Sequence, residues 1–244
     1  MLSGLYPAEI LAECPPDAAA LHSTIKFVAD GDSVTLTDNR KVRIIGLNTP
    51  ELHPDPQPFA AAARNRVREL LQQAGNQVTL VPGPERRDRH GRFLFHVILP
   101  DGTPLAETLI REGLGVQSAV APNTTCAEHY RTAESGARSA KRGLWADDSF
   151  WRRSFRKLKR TETGFHLVQD RVAAVRISRD RGTITLKHGV EIQLQLPVDL
   201  QSVDGQTLRL NQLTNRMVEI RGWVYRVRGV PQIQLHAATN LTVY

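Results

Sequence analysis

Cysteine is scarce in this 244-residue chain: there are only Cys14 and Cys126. Two thiols so far apart, without clustered partners, exclude a zinc site of the usual spacing. In a reducing compartment they would be inert buried thiols. In an oxidising one they can pair, and closing a loop of about 100 residues contributes up to roughly 4–5 kcal/mol in the chain-entropy model. Long apolar runs are also missing, and nothing approaches the roughly 20 residues of a membrane span. Residues 1–13 have no basic segment and carry two glutamates, so they do not read as a signal peptide. No glycine-rich nucleotide loop, nucleophile elbow or short repeat occurs. The two methionines form no cofactor box.

What is abundant is positive charge. The formal net charge is +7 and the sequence pI about 9.8, a balance that draws a protein to polyanions or to nothing more than water. Hydrophobic residues at 41% and charged residues at 23% are ordinary for a globular chain.

Residues 1–23 read as an Ala/Pro-rich arm. Strand signals follow around Ile25–Val28, Val34–Leu36 and Val42–Ile45. A helix is predicted from Phe59 to Ala74, where apolar residues recur at helical spacing before Gly75-Asn76. Strands are expected over 78–81 and 93–99. Thr103 is placed to cap a second helix, with Pro104 in its first position. A third helix is expected from Thr125, with Glu128 completing a capping box, to about Gly143. Three strands, a helix, two strands and two helices fit a five-stranded Greek-key barrel of OB type. Residues 151–160, WRRSFRKLKR, read as a basic linker or an extra phosphate contact. From Phe165 onward strand signals resume, with candidates at 172–177, 183–186, 190–196, 217–227 and 233–243. The expected organisation is an arm (1–23), an OB-type domain (24–150), a basic linker (151–164) and a second, OB-like barrel (165–244), mainly β with three helices.

Four polar clusters resist explanation as packing. Asp30-Gly31-Asp32-Ser33 suits a tight turn and equally a hard cation that takes oxygen ligands. Arg43 interrupts an apolar strand and must pair or face water. Asn48-Thr49-Pro50-Glu51 offers oxygen ligands and a proton acceptor, or a strand-ending turn. Asp88-Arg89-His90-Gly91-Arg92 is a charged hairpin or a loop able to hold phosphate.

In this order the clusters resemble the staphylococcal nuclease (thermonuclease) family: DGDSV, then VRIIGLNTPE, then DRHGR, then PNTTCAEHYRTAESGARSAKRGLW, over about residues 24–146. The resemblance implies a calcium-dependent phosphodiesterase that cuts DNA and RNA and leaves 3′-phosphates. It implies that Asp32 and the Thr49 carbonyl hold the cation, with Asn48 beside them. It gives Glu51 the role of orienting or deprotonating water. Arg43 and Arg92 would grip the phosphate, and Arg89 and His90 would lie where the nucleotide binds. The archetype of the family has a second aspartate where this chain, like relatives with an added C-terminal domain, has Asn48, so one ligand charge is lost and the cation should bind more weakly. The alternative is a barrel that only holds nucleic acid. His53 follows Glu51 closely and would either approach the cation or stand free in a loop.

On the second barrel, Trp223 and Tyr225 share one side of a strand. They would be core, or a stacking platform for single-stranded nucleic acid helped by Arg221, Arg226 and Arg228. No membrane span and no protein partner is implied. A bridged cysteine pair, like the family resemblance, would favour a periplasmic or secreted protein over a cytoplasmic one.

Overall fold

The computed structural model describes residue 14 and residues 19–146, 152–154, 164–195, 200–201 and 207–244. Along the chain run β1 (Leu21–Asp30), β2 (Ser33–Leu36), β3 (Lys41–Ile44), β4 (Gly46–Asn48), α1 (Ala60–Gln73), β5 (Gln77–Arg87), β6 (Phe93–Ile98), α2 (Leu105–Arg111), β7 (Val116–Ser118) and α3 (Ala127–Ser139). A short 3₁₀ turn, Gly143–Ala146, and β8 (Arg152–Ser154) lead to the second half. There follow β9 (Gly164–Ser178), β10 (Arg181–Leu186), β11 (Glu191–Gln195), β12 (Leu200–Gln201), β13 (Thr207–Leu208), a 3₁₀ turn at Leu210–Leu213, β14 (Met217–Val227), β15 (Val230–Gln234) and β16 (Leu241–Val243).

The first five long strands close into a barrel in the order β1-β2-β3-β6-β5, with β3 and β6 parallel and β5 returning to β1. Alternation explains why it closes. Val34 and Leu36 on β2, and Val42 and Ile44 on β3, point inward and are buried. Ser33 and Arg43, directly opposite each other in the β2–β3 register, therefore share the outer face. Helix α1 covers the barrel with Ala63, Val67 and Leu71. Helix α2 adds Leu105, Leu109 and Ile110, and α3 adds Tyr130. Burying each large aliphatic side chain contributes about 1.5–3 kcal/mol. Cys14 and Cys126 form a disulfide that fastens the chain ahead of β1 to the N-terminal end of α3.

The second half pairs in the same way. Its ring is β9-β10-β11-β15-β14, with β11 and β15 parallel and β14 returning to β9, around a core of its own. Both rings keep the third strand parallel to the fifth.

The two halves meet through charge as well as apolar contact. Val116, Ala137, Leu144 and Trp145 pack on Leu167 and Phe165. Beside them Arg221 of β14 donates to Glu134 of α3 at 2.7 and 2.9 Å, and Arg138 of α3 donates to Glu219 of β14 at 2.7 and 3.1 Å. Two arginines and two glutamates neutralise one another out of water, and the Gln117 amide N–H also donates to Glu134 at 2.7 Å. Asn240 donates to the Ala119 carbonyl and accepts from its amide.

Several expectations shift. β1 begins at Leu21, three residues inside the expected arm, because Leu21–Thr24 pair with β5. Residues 152–154 pair parallel with β9 rather than linking freely. Residue 151 and residues 155–163 of the expected linker lie outside the described residues, as do residues 1–13 and 15–18 of the arm. Thr103 does not cap α2: its N–H donates to Asp101, and Pro104 stands at the cap. Nor does Thr125 cap α3, which starts after Cys126 and ends at Ser139. The predicted strand over 233–243 is two strands, split by a 3₁₀ turn. Among the described residues no helix is long and apolar enough to cross a membrane.

Candidate active site

Strand order alone assembles the cluster. β2, β3 and β6 are neighbours, so the Asp32-Ser33 corner, Arg43 in mid-strand and Arg92 just ahead of β6 fall side by side on the outer face. Gly31 permits the corner: a Cβ there would stand 2.8 Å from Ala63 and from the Thr49 side chain.

Asp32 is 5% exposed and fully engaged. One carboxylate oxygen accepts the Thr49 amide N–H at 3.0 Å and pairs with Arg43 Nη1 at 2.5 Å. The other accepts the Ser33 hydroxyl at 2.9 Å. Arg43 Nη2 donates to the Asn48 side-chain oxygen at 3.0 Å, and Asn48 Nδ2 donates to the Thr49 carbonyl at 3.3 Å. Ser33 Oγ also accepts Arg92 Nη1 at 3.4 Å, joining the two arginines through one hydroxyl and one carboxylate. Arg92 is aimed by Asp88, which accepts its Nε at 2.6 Å and its amide N–H at 2.9 Å. Partial burial would raise the Asp88 carboxyl. The Arg92 guanidinium and the Arg92 and His90 N–H groups outweigh it and hold the pKa below the usual carboxylate value.

Glu51 stands at the mouth. Its side chain as a whole is exposed, yet packing around the carboxyl, then the charges of Asp32 and Asp30, push its pKa up to about 7 against the pull of Arg43 and Arg92. Burial and Asp32 also raise Asp30, against the N–H groups of Gly31 and Leu52. A carboxylate poised near neutrality is suited to accept a proton from water.

The donor types suit a hard divalent cation: the Asp32 carboxylate, the Asn48 side-chain oxygen and the Thr49 carbonyl belong to one hydrogen-bonded cluster, and the buried Thr49 hydroxyl has no hydrogen-bond partner among the described residues. One Asp32 oxygen and the Asn48 oxygen already accept from Arg43, so a cation would compete with the guanidinium for them. No group of three His, Cys, Asp or Glu side chains able to hold a metal occurs among the described residues.

Most of the other expected residues line one of two cavities beside this cluster. Arg89 and His90 are exposed, joined at 3.1 Å, and line a cavity of about 500 Å³ together with Arg43 and Arg92. His53 is an exposed loop residue that shares a smaller cavity with Asn48 and Glu51. Trp223 and Tyr225 are not core: they are 36% and 37% exposed, and both face the larger cavity. Arg221 is no phosphate contact, because it is 4% exposed and spent on Glu134 and Glu219. Asp30, Ser33 and Asp88 had no assigned role in the sequence reading. Each sits inside a motif already singled out, one residue or one turn from an assigned group.

An OB barrel with two arginines, several oxygen donors and Glu51 gathered on one outer face is the arrangement that the comparisons with known proteins bear on. The profile of the family described as Staphylococcal nuclease homologue matches residues 41–147. Endonuclease YncB of Bacillus subtilis (strain 168) is 34% identical over 134 residues, 52% of this chain and 63% of that protein. SPbeta prophage-derived endonuclease YokF of the same strain is 33% identical over 134 residues, and the match covers 45% of it. An uncharacterized endonuclease of Escherichia coli O157:H7 is 30% identical over 142 residues, covering 54% of this chain and 82% of that one. The chain belongs to the staphylococcal nuclease family. It spans roughly half to two thirds of the length of the Bacillus relatives.

Proposed function

We propose that this protein is a divalent-cation-dependent nuclease, with calcium as the preferred ion, that hydrolyses the 5′ P–O bond of DNA and/or RNA and leaves 3′-phosphates. The observation that carries the reading is the Asp32–Arg43–Asn48 and Ser33–Arg92 cluster on one barrel face. Nuclease-named relatives support the class.

Arg43 and Arg92 offer fork-shaped donors to two oxygens of one phosphate and offset the charge that grows as water adds to phosphorus. Glu51 accepts one proton of the attacking water, the bond from phosphorus to the 5′ oxygen breaks, and that oxygen takes a proton from solvent water and leaves as a hydroxyl. Asp32, Asn48 and the Thr49 carbonyl would hold the cation, which supplies further charge neutralisation at the phosphate when bound. Arg43, which pairs with Asp32 and Asn48, grips the phosphate. Arg89 and His90 lie on the nucleotide side.

One observation favours a second reading. With Asn48 in place of a carboxylate and Arg43 lying across Asp32, the cluster is already neutralised without metal, as suits a protein that only binds nucleic acid. Incubating pure protein with plasmid or RNA, with calcium or with chelator, separates the two: calcium-dependent degradation supports the enzyme, and intact substrate across several divalent ions ends that reading. The disulfide, together with the family, supports an exported location, periplasmic or secreted. The organisation we favour is an arm, an OB-type nuclease barrel, a basic connection and an OB-like C-terminal barrel.

A further inference from the structure

The larger cavity has walls from both rings. The first ring contributes the cationic wall, Arg43, Arg89, Arg92 and His90. The second contributes Trp223 and Tyr225, which flank buried Val224 on β14 and so project to one side. The two acids on the lining are Glu85 and Asp88, and Asp88 is spent on Arg92. Trp223 is backed edge-to-face by Phe165 at 5.0 Å between ring centres, which fixes its plane. Trp223 also borders the smaller cavity that holds Asn48 and Glu51, so the aromatic wall reaches from the arginines to the reacting groups.

Two large aromatics side by side, each about one third exposed on the wall of a cavity, form an apolar patch of the kind that marks a ligand groove. Opposite guanidiniums, they have one chemical complement: a flat heterocycle joined to an anionic ester. A cavity of about 500 Å³ is in the range that takes a nucleotide-sized ligand.

We propose that the C-terminal barrel completes the substrate site, its Trp223 and Tyr225 stacking an unpaired base whose adjoining phosphate lies on Arg43 and Arg92, so that the substrate is single-stranded nucleic acid. The proposal rests on the nuclease reading. In a duplex every base face is already covered by its neighbours, and a base must leave the stack to reach the wall. Stacking is indifferent to base identity, so the site selects strand state rather than sequence.

The test is binding of fluorescein-labelled dT10, and of a labelled hairpin duplex, by the full chain in EDTA, read by anisotropy. W223A/Y225A is expected to weaken dT10 binding by roughly tenfold or more while duplex binding, carried by phosphate contacts, stays unchanged. W223F/Y225F, which keeps both ring faces, should bind dT10 within about twofold of the parent; it guards against a folding defect, as does an unchanged Tm. With calcium added, the parent should cut single strands in preference to the hairpin, and W223A/Y225A should lose that preference. Equal dT10 affinity in parent and W223A/Y225A, or equal parent affinity for strand and hairpin, overturns the proposal. A parent that cuts nothing under any divalent ion, but loses dT10 on aromatic removal, sinks the nuclease reading and leaves the aromatic wall standing.

Discussion

The two rings of this chain share one connectivity and differ in what their second and third strands carry. In the first, Ser33 and Arg43 are directly opposed on the outer face; in the second the opposed outer pairs are Arg181 and Gln195, Thr183 and Gln193 (bonded at 3.0 Å), and Thr185 and Glu191. The corner between the first two strands is Asp30-Gly31-Asp32 in one and Arg179-Asp180 in the other. The same backbone thus gathers Asp32, Arg43 and Arg92 at one place on the first outer face, and sets Arg181 and Glu191 at opposite ends of the β10–β11 pairing on the second. Topology supplies neighbouring positions, and the residues at those positions decide whether chemistry follows. The second ring's contribution lies elsewhere, in the aromatic strand it turns toward the first.

The sharpest way to break the contrast is to remove each ring's outer pair. Arg43→Ala should lower turnover about 10³-fold, the scale of losing one preorganised charge-stabilising group at a transition state. Gln193→Ala should leave turnover within a factor of two. Single-turnover cleavage of a labelled oligonucleotide measures both. Comparable losses would show that the first ring's charged face is not where the bond is cut.

A smaller effect, on stability rather than rate, tests how the rings are joined. Arg221→Met strands Glu134 and Glu219 beside one remaining cation, Arg138, in a buried seam. Breaking a buried pair costs about 3–5 kcal/mol, and urea unfolding should show that loss. Adding Glu219→Gln to Arg221→Met should recover part of it. An unchanged midpoint would mean the seam is not held by the quartet.

How much of this was legible in the sequence depends on how far apart the partners lie. Asp32, Arg43, Glu51 and Arg92 could be read because each sits in a compact motif and adjacent strands bring the motifs together. The Glu134–Arg221 pair could not. Its members are 87 residues apart, and each alone resembles a solvated surface charge. Trp223 and Tyr225 posed a similar difficulty: alternation showed that they share a side, but whether that side is core or cleft depends on the docking of the two rings. The helix starts failed locally, because Pro104 and Cys126 occupy the cap positions where hydroxyl residues nearby offered better side-chain chemistry.

A pH scan separates the rings' cores. His96 of β6 is buried in the first half, where burial pushes its pKa down to about 4. The unfolded chain, with histidine near 6.5, binds the proton more readily. Stability from this group is therefore complete above about pH 6.5 and declines as pH falls toward 4, by up to about 3 kcal/mol. Thermal melts of H96Q should show a shallower decline across that window than the parent. Parallel curves would mean that His96 is hydrated in solution.

The smallest effect probes Asn48, where the archetype of the family this chain resembles has an aspartate. Asn48→Asp restores a carboxylate beside Asp32, which should tighten calcium binding by raising the ligand charge. The gain is opposed, because Arg43 already donates to Asn48 at 3.0 Å and would hold an aspartate more strongly, so the cation would compete with a better-paired guanidinium. The two effects leave a net improvement of about tenfold, roughly 1.4 kcal/mol, readable by calorimetric titration with calcium. Pairing the substitution with Arg43→Ala removes the competitor and should widen the gain. An affinity that fails to move in either background would take Asn48 out of the cation site and leave Asp32 and the Thr49 carbonyl to hold the ion with water.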